Sequence, residues 1–146
     1  MKNSIRVSLA AMILVALTLS SCGKYDEGPA ISLRSKKARI ANTWMVEQYL
    51  DNGVDQTQAF NSSFANYQMT MDKSGTYTLS GTILTIPFSD SGTWELVDDK
   101  MSLQTLSNQT GSTPDKATII KLKEKELWTK YTDSNSHVIE THYAPK

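Results

Sequence analysis

The sequence, 146 residues long, predicts an all-β domain: an antiparallel up-and-down meander of about eight strands. Three observations carry that expectation. Short segments rich in Val, Ile, Thr and aromatic residues follow one another from Trp44 to Tyr143, with the period of two that turns one strand face inward. Turn signals separate them at Asp51-Asn52-Gly53, Asp72-Lys73-Ser74-Gly75, Asp98-Asp99 and Lys123 to Lys125. No stretch holds a 3.6-residue apolar period long enough for a core helix. Short turns make consecutive strands antiparallel neighbours. Closing the meander into a small barrel removes its exposed edges, so a barrel is expected, with a β-sandwich as the alternative.

The chain begins with a segment that does not belong to this domain. Lys2 and Arg6 precede an apolar run from Val7 to Leu19, roughly 13 residues, the length of a secretory signal core and short for a membrane span. Leu19-Ser20-Ser21-Cys22 closes the run and resembles the lipobox of bacterial lipoproteins. That resemblance implies a signal peptide over residues 1–21 and lipidation of Cys22, whose thiol takes a diacylglyceryl group. Two or three acyl chains then bind the protein to a membrane, since each buried methylene adds roughly 0.8 kcal/mol. Cys22 is the only cysteine, so a lipidated mature chain holds no thiol for a disulfide, a thiolate metal ligand or a nucleophile.

Residues 22–30, with Gly23, Gly28 and Pro29, read as a flexible tether. Lys24, Asp26 and Glu27 within it resemble the signal that exports some Gram-negative lipoproteins to the outer face of the outer membrane. The expected location is the cell envelope, as an outer-membrane lipoprotein, with surface and periplasmic faces both open. Residues 31–146 form the folded domain. Its first stretch is basic, and Ser32 is placed to cap a short helix whose apolar side is Leu33, the Lys36 stem and Ile40. This helix either closes one end of the fold or meets anionic headgroups.

Strands are expected over Trp44–Leu50, Val54–Thr57, Tyr67–Asp72, Thr76–Thr82, Ile83–Phe88, Thr93–Val97, Lys100–Leu106, Ala117–Lys123, Glu126–Thr132 and His137–Tyr143. A phrase recurs at Asn42-Thr43-Trp44, Gly75-Thr76-Tyr77 and Gly92-Thr93-Trp94. It reads as a residue tolerant of positive φ handing a turn over to a strand.

A short helix, then Asn42-Thr43-Trp44 as a G-x-W-like opening, then an eight-strand meander resembles the lipocalin pattern. The whole is similar to the lipocalin-like domains of bacterial surface and periplasmic lipoproteins. Asn42 stands where that pattern has glycine, and no counterpart of its later arginine follows.

Alternation places Trp44, Val46, Tyr67, Met69, Met71, Tyr77, Leu79, Trp94, Leu96, Met101, Leu103, Ile120, Leu122 and Ile139 on the inward faces. In a barrel of about eight strands these either fill the interior or leave room for one small ligand. The candidate ligand-binding set is Trp44, Tyr67, Met69, Tyr77, Trp94 and Leu103. Phe60 and Phe64, four residues apart, join it as a lid or plug on one turn of helix.

Little in the sequence points to catalysis. His137, Glu140 and His142 are the one candidate metal cluster, but His137 falls on the opposite strand face from the other two, and exposed edge residues are the plainer reading. Asp98 and Asp99 are adjacent in a turn and make a poor acid/base pair. No glycine-rich phosphate loop opens a helix. No catalytic residue, metal ligand or cofactor is assigned, and an enzyme is not expected. With 15 basic and 15 acidic residues the charge names no nucleic-acid partner. Two readings remain. One is a lipid-anchored extracytoplasmic module holding a small hydrophobic ligand. The other is a solid-core interaction protein with a partner in an envelope assembly.

Overall fold

The structure is a computed structural model and describes residues 33–146. The signal segment, Cys22, the tether and Ser32 lie outside the described residues. Nine strands form one sheet: β1 (Thr43–Asp51), β2 (Val54–Asp55), β3 (Phe64–Met71), β4 (Thr76–Ile83), β5 (Ile86–Val97), β6 (Ser102–Ser107), β7 (Asp115–Leu122), β8 (Leu127–Thr132) and β9 (Val138–Pro145). Every pairing is antiparallel, and β9 returns to pair with β1 from Trp44↔Pro145 to Asp51↔Ile139. That pairing closes eight strands into a barrel and leaves β2 as a short flap on β1, so the sandwich alternative falls away.

One end of the barrel is solid. Ile40, Trp44, Met71, Trp94, Leu122 and Leu127 are buried there around the short helix α1 (Lys36–Ile40). Both tryptophans pack with their polar atom satisfied: Trp44 Nε1 donates to the Ile40 carbonyl at 2.8 Å and Trp94 Nε1 to the Asp72 carbonyl at 3.0 Å. An indole buried this way stabilises through its whole area without an unpaired N–H. Arg39 is also buried, its guanidinium donating to the Leu122 carbonyl at 2.6 Å. The expected cap and apolar side of this helix need correction. Ser35 caps it, accepting from the Ala38 amide, and Leu33 lies fully exposed before its start. With five residues, the helix has room to bury only Arg39 and Ile40.

Two strand expectations also change. Ile83–Phe88 and Thr93–Val97 are not separate strands, because β5 runs unbroken through Gly92 and the hairpin turn is Leu84-Thr85. Gly92 serves close approach: a Cβ there would meet the Leu106 carbonyl oxygen at 2.0 Å and the Tyr77 ring at 2.8 Å. Of the three recurring phrases, only the one at Gly75 has the positive φ expected of it, +100°. On β7 the register shifts between Ile119 and Lys121, so Ile119 and Leu122 are the core residues and Ile120, expected inward, is not. A bulge spends one residue without advancing the pleat, which inverts the alternation beyond it.

Candidate functional site

The other end of the barrel is hollow. β1 and β3 pair only at Thr43↔Thr70 and Trp44↔Met69, next to the solid end, and no further pairs join them toward the other. The helix α2 (Thr57–Ser63) packs against both strands there. It is pinned at its start: the Thr57 hydroxyl accepts from the Tyr49 amide at 2.9 Å, and Asp55 accepts from the Thr57 amide at 2.9 Å. Beyond that its hold is aromatic. The Phe60 ring stacks on Tyr49 at 5.0 Å and on Phe64 at 5.1 Å, and meets Tyr67 edge-on at 5.4 Å. Phe88 extends the cluster to Phe64 and Tyr67.

Beneath these rings is a cavity of about 780 Å³, within the range of roughly 300–1,000 Å³ that small-molecule sites occupy. Of the candidate residues, Phe60, Phe64, Tyr67, Met69, Tyr77 and Leu103 line it. Trp44 and Trp94 do not; they pack in the solid end. The alternation that puts both indoors says nothing about depth along the barrel axis.

The lining is richer in hydroxyls than the candidate set suggested. The chain has six tyrosines, and five of them, Tyr49, Tyr67, Tyr77, Tyr131 and Tyr143, face this space with Thr105, Thr129 and Thr141. The signal for the missed ones was present. Leu127-Thr129-Tyr131 and Ile139-Thr141-Tyr143 each step by two residues, so an inward Leu127 or Ile139 carries its row to a tyrosine at the cavity.

Burial keeps these phenols protonated. Desolvation raises the Tyr67 hydroxyl above its ordinary value, reinforced by the neighbouring tyrosines. Desolvation pushes Tyr143 up to about 12, although the Thr141 and Thr129 hydroxyls pull the other way. Tyr143 lies deep yet keeps accessible surface because it faces the hollow. Tyr77 is pushed up to about 12 by desolvation and then by Asp90, to which it donates at 2.7 Å. Partial burial raises the Asp90 carboxyl, but hydrogen bonds from Ser107 and Tyr77 outweigh it and hold the group below the usual carboxylate range.

The histidines sit elsewhere. His142 faces outward and stacks on Trp128 at 3.7 Å, with Lys121 above the same indole ring at 3.7 Å. It contacts Glu140 at 2.7 Å and is buried, not an exposed edge residue, because Trp128 covers it. His137 pairs with Asp51 at 3.1 Å. Among the described residues no group of three or more His, Cys, Asp or Glu side chains is arranged to hold a metal ion.

Residues 40–128 match the model of a family described as a lipocalin-like domain. No curated protein matches the chain.

Proposed function

The chain belongs to the lipocalin-like family, and from that membership we propose that it is an extracytoplasmic module that holds one small, largely apolar molecule in its barrel. The observation that carries this reading is the cavity of about 780 Å³, roofed by Phe60 and Phe64 and walled by apolar and tyrosine side chains. An interior sealed at one end and partly covered at the other removes much of a ligand from water. The hydroxyls lining it supply the few polar contacts that fix orientation. The alternative of a solid-core interaction protein is supported by the exposed apolar tip of the β4–β5 hairpin, Ile83, Leu84 and Ile86, and opposed by the hollow.

Attachment to a membrane is the second part of the proposal and rests on the sequence: Leu19-Ser20-Ser21-Cys22 at the end of an apolar run. Lipidated at Cys22, the module works at an envelope membrane, with surface display favoured by Lys24, Asp26 and Glu27. Metabolic labelling with a palmitate analogue tests this. Label in the native chain, lost in Cys22→Ala, supports the anchor, and an unlabelled native chain removes it.

Native mass spectrometry of the protein purified gently from its source tests the ligand. A reproducible extra mass, released on denaturation, is expected. A clean protein mass, with no quenching of tryptophan fluorescence by a panel of apolar compounds, would transfer the reading to the interaction protein.

A further inference from the structure

Three strands bring the same residue type to the cavity. On β5 the row Trp94-Gly92 arrives at Asp90. On β7 Ile119-Ala117 arrives at Asp115. On β8 Leu127-Thr129-Tyr131 is carried past the strand end to Asp133. The period of two puts Asp90 and Asp115 on the inner face, Asp133 follows the end of β8 in the turn, and all three residues line the cavity. Lys116 is the one basic residue in the lining, and its ammonium is engaged by Asp98 at 3.0 Å.

The three carboxylates are not equally occupied. Asp90 accepts from Tyr77 and Ser107. One oxygen of Asp133 accepts from the backbone amides of Asn135 and His137 in the β8–β9 turn. The Asp115 side chain has no hydrogen bond or ion pair with any described residue. Deeper in, the walls are aromatic rings and protonated phenols. Ring faces attract a cation and a phenol oxygen can accept from an ammonium, so the rings and the carboxylates both accommodate positive charge.

Resting on the reading of the barrel as a ligand holder, we propose that the cavity takes an amphiphile with a cationic polar end. The apolar body lies among Tyr67, Tyr143, Met69 and Leu103, and the ammonium sits level with Asp115. A carboxylate-headed lipid in the same pose brings like charges together at the mouth and is disfavoured.

The test uses the full chain at neutral pH and three probes with one tail: dodecylamine, dodecanol and dodecanoate, each below its micellar concentration. Calorimetric titration should give dodecylamine the tightest binding and dodecanoate the weakest, separated by roughly fivefold or more, since Asp115 is exposed at the rim and opposite charges in contact there gain about 1 kcal/mol. Asp115→Asn, which removes a charge without removing a partner, should shrink the gap. Leu103→Trp, which fills the cavity, should abolish binding of all three. Equal affinities, or a preference for dodecanoate, overturn the charge inference and leave the ligand-holding reading standing. If no probe binds, or if dodecylamine binds Leu103→Trp as well as the native chain, both fall.

Discussion

The two ends of this barrel are made by the same strands, yet their inward rows differ. At the solid end the rows carry Trp44, Met71, Trp94, Leu122 and Leu127, which leave no space and no unpaired indole N–H. At the hollow end the rows carry Tyr49, Tyr67, Tyr77, Tyr131 and Tyr143, and three aspartates join the lining. Backbone pairing differs in parallel. β1 and β3 are zipped beside Trp44 and unzipped beside Phe60, where ring contacts take over from the ladder. On the proposed reading, stability and function are therefore separated along one axis. Close packing holds the fold at one end, and the other end is free to leave its interior to a guest.

That separation can be broken by mutation. The largest effect is expected from Trp44→Ala, which deletes a fully buried side chain of the solid end. It should cost about 3–5 kcal/mol in urea unfolding; a cost below about 1 kcal/mol would show that the closed end does not anchor the fold.

Next in size is an alkaline effect confined to the hollow end, where the buried phenols are. The Tyr143 value of about 12 in the folded chain lies above the ordinary 10.0. Its contribution is complete below pH 10 and is lost as pH rises toward 12. The expected loss is about 2–3 kcal/mol. Denaturant melts across that window, compared with Tyr143→Phe, should show it, and a Tyr143→Phe curve identical to the native one would refute the assignment.

A pair of tryptophan insertions sharpens the contrast. Leu122→Trp overfills the solid end and should cost about 1–3 kcal/mol, whereas Leu103→Trp has the cavity to grow into and should cost under about 1 kcal/mol. Equal penalties would mean that the hollow does not accept volume.

Phe60→Ala removes ring contacts with Tyr49, Phe64 and Tyr67 and leaves the backbone ladder intact. A stability loss of about 1 kcal/mol is expected, together with faster ligand release in stopped-flow measurements. A stable variant with unchanged release would mean that Phe60 is no lid.

The smallest effect is a gain. Thr85 holds φ of 141° at the exposed β4–β5 turn, and Thr85→Gly should raise stability by about 1 kcal/mol without altering ligand binding.

Much of this architecture could be read from the chain. The Asn52-Gly53 turn has the two positive φ values, 50° and 79°, that its residues allow. The eight-strand meander and its closure follow from alternation and short turns, because a strand face that repeats every second residue and an edge that must be paired are local and general demands. Phe60 and Phe64 meet as their spacing suggested, although Phe64 opens β3 and is not on the helical turn expected of the pair.

Three things needed the tertiary structure. The bulge that exchanges Ile120 for Ile119 is set by pairing with β8, which the β7 sequence does not contain. The role of Gly92 depends on how near Leu106 and Tyr77 come to it from the flanking strands. The division of the interior into a solid floor holding Trp44 and Trp94 and a hollow holding the tyrosines depends on height along the barrel. Alternation specifies only inside or outside; height is fixed by the stagger between strands, which is a property of the closed sheet. Outside the β7 bulge, the sequence by itself determined which residues point inward, and the closed barrel decided which of them touch one another and which are left facing a space.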